Sequence, residues 1–448
     1  MKKKTLLSLV LTAALSVSML AGCTGNTGAS STGGSTGGSS SKGGEEITFM
    51  VWDDLEASSD LITKGYKESI DRFNADYAGK YHCRVISTNL EEYYTKLNAE
   101  VAAGNTPDVF IVSPGPNLND YVIPGTAAKL DDYLNADGWK ETFTSDAVFA
   151  GGTYGSEAKD GAGIYAIPLN IAAACVFYNT EMFADAGAKV PTTFDELLDA
   201  CQKLQDKGYT PITISAGTAW CLSMVAGYLC DRNGLVLSDV KEHKTDWKDA
   251  KVINAGKQIQ ELSQYFQPTA ESDDNDIATA NFYDGEAAIL IQGSWAIGQI
   301  NGSCEPGFEK KVGVFAFPAV DGSSADPNRV IAKSDSIAMS ADSKNPEAAV
   351  ALMKYFVDDA AQKYTAEKGG KIPVTNVKYD ENVAPPELSY VMNVFKSANA
   401  TFGFYNESLV DSEAGGTFDS CFVEIFKGAD PATALDPIQK YYEDNVWK

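Results

Sequence analysis

The feature that most constrains the fold is a strand and helix alternation that starts at Ile47. The run Ile47-Thr48-Phe49-Met50-Val51-Trp52 is rich in β-forming residues and ends on Asp53-Asp54. Ile62, Tyr66, Ile70, Phe73 and Tyr77 then recur at the spacing of an amphipathic helix. Val85 and Ile86 mark a second strand, and Tyr94 to Ala103 a second helix. Gly104-Asn105-Thr106-Pro107 stops that helix before a strand over Asp108 to Val112. This rhythm predicts an α/β fold with mostly parallel sheets, right-handed crossovers and helices on both faces. Ligands of such sheets bind beyond the carboxyl ends of the strands. The loops Trp52 to Glu56 and Ser113 to Asn117 are therefore the first candidates for a site.

The pattern restarts further along the chain. Ile164 to Ile171 leads into Cys175-Val176-Phe177-Tyr178-Asn179. Thr193 and Glu196 form a capping box, ahead of a helix with Phe194, Leu197, Leu198, Cys201 and Leu204 on one face. Asn345-Pro346 opens another helix, continued by Ala349, Leu352, Met353, Phe356 and Val357. No repeat of 20–50 residues points to a solenoid. The 448 residues suit three domains of ~150 residues or two larger lobes.

Lys2, Lys3 and Lys4 precede a short apolar run from Thr5 to Met19, which is too brief to span a bilayer and reads as an export signal. Leu20-Ala21-Gly22-Cys23 resembles the lipobox of bacterial lipoproteins, which implies cleavage before Cys23 and diacylglycerol on its thiol. Residues 24–44 are almost wholly Gly, Ser and Thr, a flexible tether with about 25 Å of root-mean-square reach. No second apolar stretch of about 18 residues follows, so the body is expected on the extracytoplasmic face of the cell membrane, held by its lipid.

Composition narrows the functions. Against 61 Asp and Glu stand 36 Lys and Arg, a formal charge of −25, which excludes binding to nucleic acid through clustered basic residues. Two histidines, His82 and His243, leave little for a zinc centre, and no metal or other cofactor is expected. The seven cysteines after Cys23 show no CxxC spacing, so most are expected as buried small hydrophobes; whether Cys221 and Cys230 pair is left open.

Six short stretches, in order, resemble the family-1 extracellular solute-binding proteins of ABC importers. They are Ala103 to Val109, Ile164 to Pro168, Val176 to Asn179, Gly285 to Ala288 leading to Gly293-Ser294-Trp295-Ala296, Pro346 to Ala349, and Gly370 to Val374. The resemblance implies a two-lobed periplasmic-binding-protein fold of type II, with a ligand cleft between the lobes. It implies chain crossings near 171–174, 331–336 and 371–374. The first lobe would comprise 45–171 and 336–371, and the second 172–331 and 374–448. The implied partners are a carbohydrate, expected to be an oligosaccharide, and the transmembrane subunits of a permease; the protein is expected to be a monomer and not an enzyme.

A sugar cleft needs aromatic platforms together with carboxylates and amides that bond adjacent hydroxyls. By the resemblance Trp295 stacks on a sugar ring and Trp220 is presented to the cleft; each has the alternative of a core position. Asp53 and Asp54 end the first strand, with helix capping as their alternative. Ser113 and Asn170 lie at comparable strand ends. Asp335 sits at the second crossing, where it either meets ligand or braces the hinge. Phe418 enters the last helices where the family has a cleft aromatic, or else packs. Two other readings stay open. The same fold would serve a polyamine, an iron complex or an organic anion, and a pair among the 61 carboxylates would serve a secreted glycoside hydrolase.

Overall fold

The computed structural model describes residues 44–448; the signal segment 1–22, Cys23 and the tether to residue 43 lie outside the described residues. Two mixed sheets dominate. The first has the order Tyr81–Ser87, Glu45–Val51, Val109–Val112, Ser336–Met339 and Ala166–Pro168. The second runs Ala400–Phe402, Arg329–Lys333, Ala172–Asn179, Ala287–Gly293 and Thr210–Thr213, with Val312–Phe315 also paired to 172–179.

Both faces of each sheet are covered, because successive strand residues point to opposite sides. Phe49, Val51, Ile111 and Met339 pack into one core, while Met50, Phe110, Val112 and Ala338 pack into another. In the second sheet Ala174, Val176, Ile289 and Ile291 face one core, and Cys175, Phe177 and Leu290 the other. This explains why the strands read as continuous apolar runs rather than alternating ones.

The expectation of mostly parallel sheets is corrected in its pairing. The opening strands 45–51, 81–87 and 109–112 are parallel, but Ser336–Met339 lies antiparallel to both of its neighbours. In the second sheet, 172–179 is antiparallel to 287–293, 312–315 and 329–333. The cause is the crossings. A strand that returns from the other sheet through a short link enters against the local direction, and antiparallel pairing needs no helical crossover.

Local chemistry sets the helix boundaries. Asp60 Oδ1 accepts from Ile62 N at 2.9 Å and starts the helix Leu61–Asp76. Asn89 Oδ1 accepts from Glu92 N at 2.9 Å, so the second helix is Leu90–Ala102 and begins earlier than its apolar spacing indicates. Thr193 caps Phe194–Asp206, but Glu196 reaches back to Thr192 N at 2.8 Å rather than to the cap residue itself. All seven cysteines after Cys23 are free. Cys221 and Cys230 share the helix Ala219–Arg232, nine residues and about 13 Å of rise apart, which forbids a bridge.

The chain passes from the first sheet to the second through residues 169–171 and returns through Ser334 and Asp335. Ile171 bridges Ile372. Val374, Thr375 and Asn376 then pair with residues 142–144, so the chain stays with the first sheet's layer past position 374. Helix Ala296–Ser303, from the second sheet's side, meets the start of helix 61–76. A Cβ on Gly298 would lie 2.4 Å from Asp60 Oδ1, and one on Gly302 2.4 Å from Ser59 O, so this contact requires glycine. Among the described residues no helix is long and apolar enough to cross a membrane.

One buried group is mismatched to its surroundings. Glu387, fully buried in the first turn of Pro386–Ser397, has Oε2 3.4 Å from Asn301 Nδ2 and no partner for Oε1. Burial pushes its carboxyl up to about 7. A folded pKa above the unfolded one favours the fold below the usual glutamate range, and that benefit is lost as pH rises through about 7. Glu387→Gln should therefore leave the unfolding midpoint unchanged near pH 4.5 and stabilise the protein by about 1–3 kcal/mol at pH 8, read by thermal denaturation at both values.

Candidate functional site

The links between the sheets carry a buried ionic knot. Asp335, 8% exposed, has Oδ2 3.3 Å from Lys371 Nζ and Oδ1 3.6 Å from Lys333 Nζ. Burial alone would raise its carboxyl, but Lys371 and then Lys333 outweigh burial and hold it below the usual range. Its carbonyl accepts from Leu169 N at 2.8 Å. One residue thus ties together the link 169–171, the link 334–335 and the segment bearing Lys371. Asp335 is a brace of the links, the second of its two expected roles.

Around this knot lie further acceptors. Asp53, half-buried at the end of the first strand, is pushed up to about 7, mainly by burial and next by the charge of Asp60. Asp60 is raised as well, mainly by burial and against the opposing pull of Lys371. Tyr66 lies among Asp335, Asp53 and Asp60, and burial raises its hydroxyl well above the ordinary range. Asn170, 1% exposed, leaves Oδ1 without a hydrogen-bond partner. From the second sheet's side, Asp276 adds its charge to both Asp53 and Asp60.

The second group is aromatic. Trp220, in the first turn of helix 219–232, meets Trp295 at 5.8 Å between ring centroids and Phe404 at 6.1 Å, both edge-on. Trp295 and Phe404 are 5.8 Å apart. Lys333 Nζ lies over both, 5.9 Å from the Trp295 centroid and 5.2 Å from that of Phe404, and also reaches Glu407 at 3.4 Å. The indole N–H groups of Trp220 and Trp295 are buried and have no acceptor. Opposite stands the loop after Val109–Val112. Ser113, 5% exposed, donates its N–H to Tyr94 Oη at 2.9 Å. Gly115, at φ +82°, lets the Glu407 carbonyl approach to where a Cβ would meet it at 2.2 Å.

Asp53, Asn170 and Asp335 therefore gather at one end, Trp220 and Trp295 at the other, with Ser113 facing the Glu407 loop. Two expectations are corrected. Asp54 is exposed and its Oδ1 accepts from Glu56 N at 2.9 Å and Ala57 N at 3.1 Å; it closes a turn. Phe418 is fully buried in the second sheet's main core, against Trp247 at 5.6 Å and Phe422 at 4.8 Å, because its helix Ser412–Phe426 turns that face inward. The aromatic that joins the tryptophans is Phe404. Sequence reasoning also missed Asp60, Lys333 and Lys371. Lys371 lies inside the stretch Gly370 to Val374 and Lys333 inside the crossing expected near 331–336, and their signal was proximity to the crossings.

The described geometry is that of two mixed sheets joined by crossing links. Residues 59–363 match the family model of bacterial extracellular solute-binding proteins, and the chain belongs to that family. The multiple sugar-binding protein of Streptococcus mutans is 25% identical over 316 residues, covering 68% of this chain and 70% of its own length. The diacetylchitobiose binding protein DasA of Streptomyces coelicolor is 28% identical over 287 residues, covering 62% of this chain and 63% of its own length. Among solved structures, a protein studied with xylan utilisation by the thermophilic bacterium Caldanaerobius polysaccharolyticus superposes with a TM-score of 0.80 at 25% identity, over 88% of this chain and 99% of that one. A chitin oligosaccharide binding protein gives 0.78 at 24% identity, over 90% and 98%. These neighbours share the two-lobed fold, and the family's members are extracellular binding proteins rather than enzymes.

Removing one partner of the knot should be costly, since it strands a buried charge. Lys371→Met leaves Asp335 with Lys333 alone. A loss of about 3 kcal/mol is expected in chemical denaturation at pH 7, shrinking as pH falls and Asp335 protonates.

Proposed function

We propose that this protein is the extracellular receptor of an ABC importer, that it captures an oligosaccharide between its lobes, and that it delivers the sugar to a membrane permease. The observation that carries this reading is the pairing of a Trp220, Trp295 and Phe404 cluster, with two unpaired indole donors, with the half-buried Asp53 and the buried Asn170. Apolar sugar faces stack on rings while hydroxyls satisfy the polar atoms. The named ligands of the relatives, multiple sugars and diacetylchitobiose, support the same class.

The lobes in this reading are 45–171 with 336–371, and 172–331 with the C-terminal part, hinged where the chain crosses near Asn170, Asp335 and Lys371. Ligand that touches both lobes favours the closed arrangement by its extra contacts there. Cys23 carries the lipid, the tether 24–44 gives the body reach over the membrane, and the receptor works as a monomer with no cofactor.

A thermal-shift titration with a panel of oligosaccharides tests the ligand class: at least one should raise the midpoint in a concentration-dependent way, and a flat response to every sugar would refute it. Trp220→Ala should then weaken the responding sugar by about tenfold or more in calorimetry, in line with loss of a stacked ring.

A further inference from the structure

Two contacts join the two sheets' sides, one on each flank of the Asp335 knot. On the Lys371 flank, the end of helix Ala296–Ser303 meets the start of helix 61–76, and Ser59 Oγ lies 2.7 Å from Ser303 Oγ. A Cβ on Gly302 would come within 2.4 Å of the Ser59 carbonyl oxygen, and one on Gly298 within 3.5 Å of that of Gly369, two residues before Lys371. On the Lys333 flank, Lys333 Nζ reaches Glu407 at 3.4 Å, and the Glu407 carbonyl oxygen lies 2.2 Å from where a Cβ on Gly115 would be. Beyond it Ser412 Oγ donates to Asp120 Oδ2 at 3.4 Å, so helix Ser412–Phe426 touches helix Pro116–Val122. Ile62 and Leu118 anchor one partner of each contact in the first sheet's cores, while Ile300 and Phe404 anchor the other partners in the second sheet's.

The Ser59–Ser303 and Ser412–Asp120 hydrogen bonds are exposed, but the unfilled polar atoms of the cleft are not. Asn170 Oδ1, Trp220 Nε1 and Trp295 Nε1 are buried without a hydrogen-bond partner. The contacts thus form two outer rims, one beside the carboxylate end and one beside the aromatic end. A sugar that fits between the rims can satisfy these atoms with both rims closed. A chain that continues past either end would have to pass where the Ser59 carbonyl faces Gly302, or where the Glu407 carbonyl faces Gly115. Neither approach has room even for a methyl group, so the longer chain would hold a rim apart and lose the contacts of the closed arrangement.

We infer that this cleft closes at both ends and takes a short saccharide whole, of about two or three units, the size that a pocket of ~300–1,000 Å³ encloses, rather than a stretch of a longer chain. This rests on the oligosaccharide reading and sets the ligand's length. Gly115 and Gly302 are the residues that impose the limit, because each lets a backbone carbonyl from across the cleft approach where any side chain would stand.

The test is calorimetry on the purified protein with homologous series from disaccharide to hexasaccharide. The series are β-1,4-linked glucose, xylose and N-acetylglucosamine, α-1,4-linked glucose, and the homologues of any other sugar that raises the unfolding midpoint. In the series that binds, affinity should peak at the di- or trisaccharide and fall about tenfold or more by the hexasaccharide. Gly302→Ala should weaken the short sugar and bring the ratio of short to long affinity towards one. Alanine suits a helix better than glycine does, and the unfolding midpoint of the variant reports that the fold is retained. Affinity that stays level or rises up to the hexasaccharide, or a Gly302→Ala variant with an unchanged length preference, overturns this inference and leaves the receptor function standing. A protein that binds none of these and no sugar of a wider panel overturns both.

Discussion

The arrangement of this protein depends on one buried carboxylate. Asp335 sits where the chain returns from the second sheet to the first, held by Lys371 and Lys333, with its carbonyl fixing the other link through Leu169. Three chain segments that must pass between two bodies meet at a single charge. Buried ion pairs gain little net stability over apolar packing, but they specify geometry, since a misplaced link would leave one of the charges alone. The same lysines shape the site. Lys333 reaches onto the aromatic cluster and to Glu407, and Lys371 tempers Asp60.

Much of the first body was legible in the sequence, for a physical reason. Strands covered on both faces read as unbroken apolar runs, and the helix between them needs an amphipathic stripe, so Ile47 to Val112 could be parsed from spacing alone. The direction of pairing was not legible. It is set by strands such as Ser336–Met339 that arrive from far along the chain, and no local pattern records which way they run. Boundaries shifted where a polar side chain overrode the apolar pattern, as Asn89 did for helix 90–102.

The candidate site was legible in part. Trp220 and Trp295, singled out as large aromatics at strand and helix ends, do meet in the structure, and Asp53, singled out because it ends a strand, lies beside the ionic knot. Asp54 and Phe418 went astray for opposite reasons. Adjacent aspartates look alike in sequence, yet only backbone geometry tells which one caps a turn. A phenylalanine in a helix of mixed composition faces the core or the cleft according to packing that lies outside its own segment. Phe404 and Lys333 escaped notice because their meaning comes from each other and from Trp295, through contacts between distant stretches of chain.

In the proposed function two lobes hinge at the ionic knot, with acceptors and aromatic donors meeting ligand between them, and closure on a ligand is the central claim. Small-angle X-ray scattering of the protein, alone and with a saturating oligosaccharide that raises its unfolding midpoint, tests this most directly. The account predicts a smaller radius of gyration and a contracted distance distribution with ligand. An unchanged profile with ligand demonstrably bound would contradict it.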